Sequence, residues 1–346
     1  MKNIGDEVGS HVLRRFELSH RMGKGAYGIV WKGKDKRTRK VIALKKCFDA
    51  FRNATDAQRT FREVMYLKAL SGHNHIIQLR HVIKAETDRD IYLTFDFMET
   101  DLHAVIRANI LADIHKKYII YQVFNALKYI HSADLIHRDI KPSNLLLNSD
   151  CHLKICDFGL CRSVAESDGP KQVLTDYVAT RWYRSPEVLM GSTKYMKAVD
   201  IWSVGCILGE MSSHRPIFPG NSTMNQIERI LETTGKPCEE DISSMKSPFA
   251  ITMIEGISQI LDHVPISSLC PNACAESIDL IQLCLKFNPK KRCSSETALQ
   301  HPYIADFQNT QDEPSYPHGP IKVIVIFLFI FEMYNNSFIN AFISFS

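Results

Sequence analysis

His137-Arg138-Asp139-Ile140-Lys141-Pro142-Ser143-Asn144 (HRDIKPSN), followed further along by Asp157-Phe158-Gly159, are the two stretches on which the reading of this chain turns. Together they supply two carboxylates, an ammonium and an amide set among apolar neighbours. Phosphoryl transfer asks this much of a protein: an oriented hydroxyl, clustered cations, and oxygen ligands for a hard metal ion. In that chemistry Asp139 accepts the hydrogen bond and proton of an acceptor hydroxyl, and Lys141 neutralises charge on the transferring group. Asn144 and Asp157 present oxygens to Mg²⁺. HRD or DFG alone is an ordinary turn tripeptide; both at this spacing are not.

Upstream, Gly23, Gly25, Gly28 and Val30 form GxGxxGxV. A lone glycine triplet is weak, because dinucleotide folds use a related one. Here a strand-like run, Gly28-Ile29-Val30-Trp31, follows the glycines, as in a hairpin folded over phosphates. Glycines let backbone amides approach a triphosphate where a Cβ would collide. Lys45 ends the strand VIALK, and the helix after it carries Glu63, whose carboxylate can hold the lysine ammonium against the α- and β-phosphates.

The chain has 346 residues, 45 % hydrophobic and 23 % charged, ample for a large core and against disorder over most of its length. A formal charge of +4 is too small to argue for a nucleic-acid or membrane partner, and the basic stretch from Lys32 to Lys40 reads as a solvated strand-loop-strand face. MKNIGDEVGS opens without an apolar secretory segment, so the ten cysteines are read as reduced thiols in the cytosol or nucleus. No CxxC pair or matching histidine spacing suggests zinc, and His73 and His75 are too isolated to be ligands.

From Phe16 to Phe97 short strands at Ile29 to Trp31, Val41 to Leu44 and Ile91 to Phe95 enclose one amphipathic helix, Ala57 to Leu70, which Gly72 ends. After Thr100 helical periodicity takes over: Tyr118 to Ile130, Val199 to Met211, Met224 to Leu231 and Ser277 to Phe287. A strand-rich part thus precedes a helix-rich one. Cys161 to Thr180 reads as a long functional loop. Near the end, VIVIFLFIF (Val323 to Phe331) is apolar but too short to span a bilayer, which takes about 20 residues. Exposed as a strand, it would favour aggregation.

Taken in order, GKGAYGIV, IALK, FRE, HRDIKPSN, DFG, SPE (Ser185 to Glu187), DIWSVG (Asp200 to Gly205) and Arg292 in NPKKR resemble the eukaryotic protein kinases over Phe16 to Tyr303. The resemblance implies an α+β, bilobal protein kinase fold: a small antiparallel β-sheet lobe with one main helix (16–97) and a larger, mainly helical lobe (98–304). Residues 1–15 are then an N-terminal extension and 305–346 a C-terminal tail. It implies ATP as cofactor beside Mg²⁺. The nucleotide is expected on Met22, Gly23, Lys24, Gly25, Ala26, Tyr27, Gly28, Val30, Ala43 and Lys45. Phe95 is the expected gatekeeper, and Asp96 to Met98 offer backbone hydrogen bonds to the base. Cys156, just before DFG, is expected to be an inert thiol lining the pocket. Glu187 is expected to pair with Arg292. The usual APE reads SPE here, a change of little consequence for so small a side chain. Lys141 and Thr180 are what the serine/threonine branch shows. Pseudokinases lose a lysine or aspartate matching Lys45, Asp139 or Asp157, and this chain keeps all three.

Thr175-Asp176-Tyr177 followed by VATRWYR resembles the TxY lip of mitogen-activated protein kinases, with Asp176 where Glu, Pro or Gly is usual. AFRNATDAQRTFRE, DRDIYL and METDL are most similar to the atypical extracellular-signal-regulated branch, its seventh and eighth members, which tend to autophosphorylate. Phosphate brings about −1.5 to −2 charges and orders a loop where guanidinium groups meet it. The resemblance assigns phosphorylated Thr175 to Arg62, Arg59, Arg138 and Arg162, and phosphorylated Tyr177 to Arg181 and Arg184. It implies substrates with Ser-Pro or Thr-Pro sites, since proline leaves no N–H unpartnered after the acceptor. Further implied partners are an upstream kinase, phosphatases and docking peptides; neither nucleic acid nor membrane is expected, and a monomer is. Asp312 and Glu313 keep part of an acidic docking patch, whereas Asn309 replaces a frequent aspartate, so weak docking is expected. Beyond Pro320 the resemblance stops. The apolar run there is read as a translated intron or alternative exon in preference to a packed strand, a membrane-surface element or a partner-binding element.

Overall fold

In a computed structural model, the alternation expected at Ile29 to Trp31 extends through β2 (Gly28–Asp35), where every second residue from Ile29 to Asp35 is buried. The structure describes residues 7–25, 28–50, 52–87, 89–164, 180–257 and 262–321. Ala26, Tyr27, Thr175, Tyr177 and the Val323 to Phe331 run lie outside the described residues. The described residues fall into two units, one from 7–99 with 156–161 and the other from 100–155 with 162–321.

In the first unit, β1 (Phe16–Gly25), β2, β3 (Val41–Cys47), β4 (Leu79–Lys84) and β5 (Ile91–Asp96) form an antiparallel sheet in the order β1-β2-β3-β5-β4. β5 lies inside the sheet and is buried from Ile91 to Phe95, so it does not alternate. The helix α2 spans Ala54–Ala69, starting earlier than its apolar spacing suggests because the Asn53 side chain accepts the Asp56 N–H at 2.9 Å and caps it. Gly72, with φ of +98°, turns the chain away after the helix. A six-residue helix, α1 (Ser10–Arg15), precedes β1 within the stretch expected to be an N-terminal extension. Its Val12, with Val8 before it, is buried among Phe16, Ile29, Trp31, Leu44 and Tyr92.

The second unit is mainly helical. Its long helices are α3 (Asp113–Ser132), α4 (Ala198–Ser213), α5 (Thr223–Thr234) and α6 (Ala275–Cys284), with short helices between them. α3 and α4 are buried on nearly every side, as central helices must be. α6 stops at Cys284 instead of Phe287. Pro289 disfavours helical backbone at Asn288, whose side chain instead accepts the Lys290 N–H at 3.0 Å. The short strands β6 (Thr100–Asp101), β7 (Leu135–Ile136), β8 (Leu145–Leu147), β9 (Leu153–Ile155) and β10 (Arg162–Ser163) complete this unit. β6, β8 and β9 form one sheet, and β7 pairs with β10. The buried Gln122 amide of α3 ties down the β8–β9 turn: it donates to the Cys151 carbonyl at 2.9 Å and accepts from the Leu153 N–H at 2.8 Å.

Candidate active site

In the first unit, β1 and β2 pair as a hairpin with Gly23 opposite Val30 and Gly25 opposite Gly28. The three glycines differ in environment. Among the described residues, a Cβ on Gly23 or Gly25 would meet no atom within 4 Å apart from its chain neighbours, whereas one on Gly28 would lie 2.1 Å from the Lys46 carbonyl oxygen. Gly28 is therefore required by the sheet itself. Gly23 and Gly25 leave open the space that phosphates can use, so the hairpin fits a nucleotide. Met22 and Lys24 are exposed beside them.

Val30 pairs with Lys45 across β2 and β3, and Ala43 with Phe95 across β3 and β5. Phe95 and Met98 are buried. Asp96 takes a bidentate contact from Arg80, 2.7 Å on each oxygen, a partner the sequence did not reveal.

Lys45 Nζ donates to both oxygens of Glu63, at 2.6 and 2.9 Å. Burial alone would depress the Lys45 pKa, but the carboxylates of Glu63 and Asp157 raise it, so the ammonium is held charged. α2 carries Glu63 on the face that packs the Phe158–Leu160 turn, and Asp157 enters that turn with φ of 63° and ψ of 71°. Its Oδ2 pairs with Arg59 at 3.4 Å. Arg59 also lies against Gly159, where a Cβ would come within 2.8 Å of it.

In the second unit, Lys141 Nζ lies 2.7 Å from Asp139 Oδ2. The Asn144 amide nitrogen donates to the Asp139 carbonyl at 2.8 Å and to Oδ2 at 3.0 Å, which keeps its amide oxygen for a cation. The loop bearing Asp139 is braced by Asp200 of α4. This fully buried carboxylate accepts the N–H groups of His137 and Arg138 at 2.9 and 2.8 Å and contacts His131 of α3 at 3.0 Å. Burial would raise the Asp200 pKa, yet the bonds from His131 and the Arg138 N–H hold it below the ordinary value. Arg138 itself has φ of 68°, a left-handed conformation that these two bonds secure.

The sequence pattern of the protein kinase domain family matches residues 16–304. The chain is a protein kinase of the mitogen-activated type. It is 57 % identical over 314 residues to the "Extracellular signal-regulated kinase 2" of Dictyostelium discoideum, covering 90 % of this chain and 85 % of that protein. It is 52 % identical over 321 residues to the "Mitogen-activated protein kinase 15" of Xenopus laevis, covering 92 % of this chain and 55 % of that one. With the "Extracellular signal-regulated kinase 7" of Drosophila melanogaster it shares 47 % identity over 316 residues, covering 89 % of this chain and 34 % of that one. The chain thus spans most of the first relative and about half or less of the other two. The kinase has the five-stranded sheet with its helix and the larger helical part that its motifs implied.

Thr180, exposed, stands at the start of the segment that leads to the kinase's SPE motif. Trp182 donates to the Gly220 carbonyl at 3.1 Å, and Tyr183 OH to buried Glu210 at 2.6 Å, which fixes the segment on α4. Ser185 is buried, and its hydroxyl finds no hydrogen-bond partner among the described residues. Glu187 and Arg292 form the expected pair, 2.7 Å on both forks, and Arg292 stacks 4.9 Å from the Trp202 ring.

The arginines assigned to the lip fall in separate settings. Arg59 and Arg62 lie on α2, where Arg62 reaches Gln58 at 3.3 Å. Arg138 stacks 4.9 Å from the Tyr195 ring, and Arg162 pairs with Ile136 in the β10–β7 strand pair. Arg181 donates to the Asn221 carbonyl at 3.4 Å, and the Arg184 N–H to the Arg181 carbonyl at 3.1 Å. In the segment expected to dock partners, Glu313 is buried and lies 3.5 Å from Lys128, so its charge is already used in packing.

The sequence showed no role for His131, Glu210 or Arg80. Asp200 stood inside the quoted DIWSVG without a partner. A lone histidine on a helix and an aspartate on another give no local signal that they meet.

Proposed function

We propose that the kinase phosphorylates protein Ser-Pro and Thr-Pro sites with Asp139 as the base that accepts the substrate hydroxyl's proton. The observation that carries this reading is the Asp139 carboxylate held by Lys141 at 2.7 Å and by Asn144 at 3.0 Å, a pinned acceptor beside a positive charge. Lys141 offsets charge on the transferred group, Lys45 binds phosphate oxygens with Glu63 as its counter-ion, and the glycine hairpin covers the phosphates. Asn144 and Asp157 present oxygens to Mg²⁺, which supplies charge neutralisation when bound. Thr180 acts beside the acceptor. Steady-state kinetics on a Ser-Pro protein substrate test this. Asp139→Asn should lower kcat by about 10²- to 10⁴-fold with ATP affinity retained, and a kcat within about tenfold of wild type overturns the assignment of Asp139 as base.

Regulation is read through the TxY lip: phosphate on Thr175 meets Arg59, Arg62, Arg138 and Arg162, and phosphate on Tyr177 meets Arg181 and Arg184. Because Arg62 adjoins Glu63, seating the lip also seats the partner of Lys45. The kinase places these phosphates itself. Mass spectrometry of protein made in bacteria should find both, absent from Lys45→Arg; an unmodified wild-type lip means an upstream kinase supplies them. The cytosol or nucleus is the proposed compartment. Among the described residues no helix is long and apolar enough to cross a membrane.

A further inference from the structure

Cys284 ends α6 and Cys293 stands just before the short helix Ser295–Leu299, with Sγ atoms 3.8 Å apart. The backbone brings them together: the Cys293 N–H donates to the Leu283 carbonyl at 3.3 Å, one residue from Cys284. Behind Cys284, Gly205 of α4 lets α6 approach so closely that a Cβ there would lie 2.7 Å from that of Cys284. Cys284 is therefore 1 % exposed and has no room to retreat, whereas Cys293 is only partly buried. The two thiols also differ in acidity. The contact with Cys293 and burial push Cys284 well above the usual thiol value, while the same contact lowers Cys293.

We propose that Cys293 and Cys284 are a peroxide-sensitive pair that closes to a disulfide and loosens the Arg292 clamp on Glu187. The inference stands on this thiol geometry and is independent of which residue is the catalytic base. The Cys293 thiolate attacks one oxygen of a hydroperoxide. An S–O bond forms, the O–O bond breaks, and the other oxygen leaves as an alcohol or, from hydrogen peroxide, as water after taking up the thiol's proton. Cys284 then attacks Cys293 Sγ; the S–S bond forms, and hydroxide leaves as water with the Cys284 proton. Two thiols and one hydrogen peroxide give one disulfide and two waters, or with an organic hydroperoxide one alcohol and one water, the sulfurs losing the two electrons that the peroxide oxygens gain.

Closure brings the sulfurs from 3.8 Å to about 2.05 Å. Because Gly205 leaves α6 packed against α4, most of that movement falls on Cys293 and on Arg292 beside it. Arg292 holds Glu187 through a fork with both arms at 2.7 Å, a geometry that tolerates little displacement. Oxidation should therefore lower kinase activity, and a thiol reductant should restore it.

The full chain, reduced and then treated with one equivalent of hydrogen peroxide, is the material for the test. Peptide mapping should find a Cys284–Cys293 link that dithiothreitol removes, with activity falling at least threefold and recovering on reduction. Cys293→Ser, outside the catalytic machinery, should retain basal activity and lose the peroxide response. Cys284→Ala should leave Cys293 to be trapped as its sulfenic acid by dimedone. Absence of the link in wild type, or a Cys293 that pairs elsewhere, overturns the proposal; so does a link that forms while activity stays at the reduced level. The wild-type map decides even where a variant folds poorly.

Discussion

Gly23 and Gly28 belong to one motif, yet physical chemistry demands glycine at them for different reasons. At Gly28 the demand is internal, since an added Cβ would sit 2.1 Å from a backbone oxygen of β3 that the sheet holds in place. At Gly23 no atom of the described residues beyond its chain neighbours is within 4 Å, so the demand for glycine is read as coming from the ligand. Two alanine variants should separate the causes. Gly28→Ala should cost about 1–3 kcal/mol through overpacking, seen as a lower melting temperature. Gly23→Ala should melt with wild type yet raise the KM for ATP about tenfold, or ~1.4 kcal/mol. Equal melting losses in both would remove the distinction.

At the scale of elements, α4 organises the second unit's site because one buried carboxylate serves two backbone donors and a histidine. Asp200→Asn replaces an acceptor-only group with one that also presents N–H, so one of these bonds fails and the Asp139 loop loosens. Hydrogen bonds to a charged group contribute about 1.5–3 kcal/mol each, and a stability loss of that order is expected by denaturant titration, together with a fall in kcat. The pH dependence has a definite sign. The folded Asp200 pKa lies below its ordinary 3.8, so its stabilisation is present above about pH 4 and is lost as the pH falls through the lowered value. The wild type should lose stability more steeply below pH 4 than Asp200→Asn does, and parallel acid limbs would contradict that role.

Legibility in the sequence follows the same division. HRDIKPSN was readable because Asp139, Lys141 and Asn144 meet within one turn of chain, so their order along the sequence is also their geometry. Lys45 and Glu63 were readable because a strand and the next helix set their separation. His131 and Asp200 were not, since tertiary packing alone joins α3 to α4. Cys284 and Cys293 give no signal for a related reason: with Asn288 and Pro289 between them, the helix break that brings them together leaves no thiol spacing of a known kind.

For the molecule as a whole, the matched stretch of 16–304 and the packed stretch are not the same. At the front, Val8 and Val12 fill the core beneath Trp31, the Gly9 N–H donates to Tyr92 OH at 3.1 Å, and His11 meets the Lys84 carbonyl at 2.8 Å. α1 escaped sequence reading because its six residues give only one buried position, too few to show a period. At the back, the Asn125 amide of α3 donates to the Asp312 carbonyl at 2.9 Å, Tyr316 stacks edge-on to Tyr129, and the Ile321 N–H donates to the Ala133 carbonyl at 2.9 Å. Each end therefore completes the unit it packs on. Removing residues 1–15 uncovers the β1–β2 face of the first unit; burying one such valine is worth about 1.5–3 kcal/mol. Removing 305–346 uncovers α3 in the second unit and leaves the Asn125 amide without its acceptor. A chain cut to 16–304 should consequently melt several degrees below one cut to 1–321, and hydrogen exchange should locate the lost protection in β2 and in α3. Identical melting of the two would mean that both flanking segments are bystanders, and protection lost only elsewhere would mean that their contacts do not hold in solution.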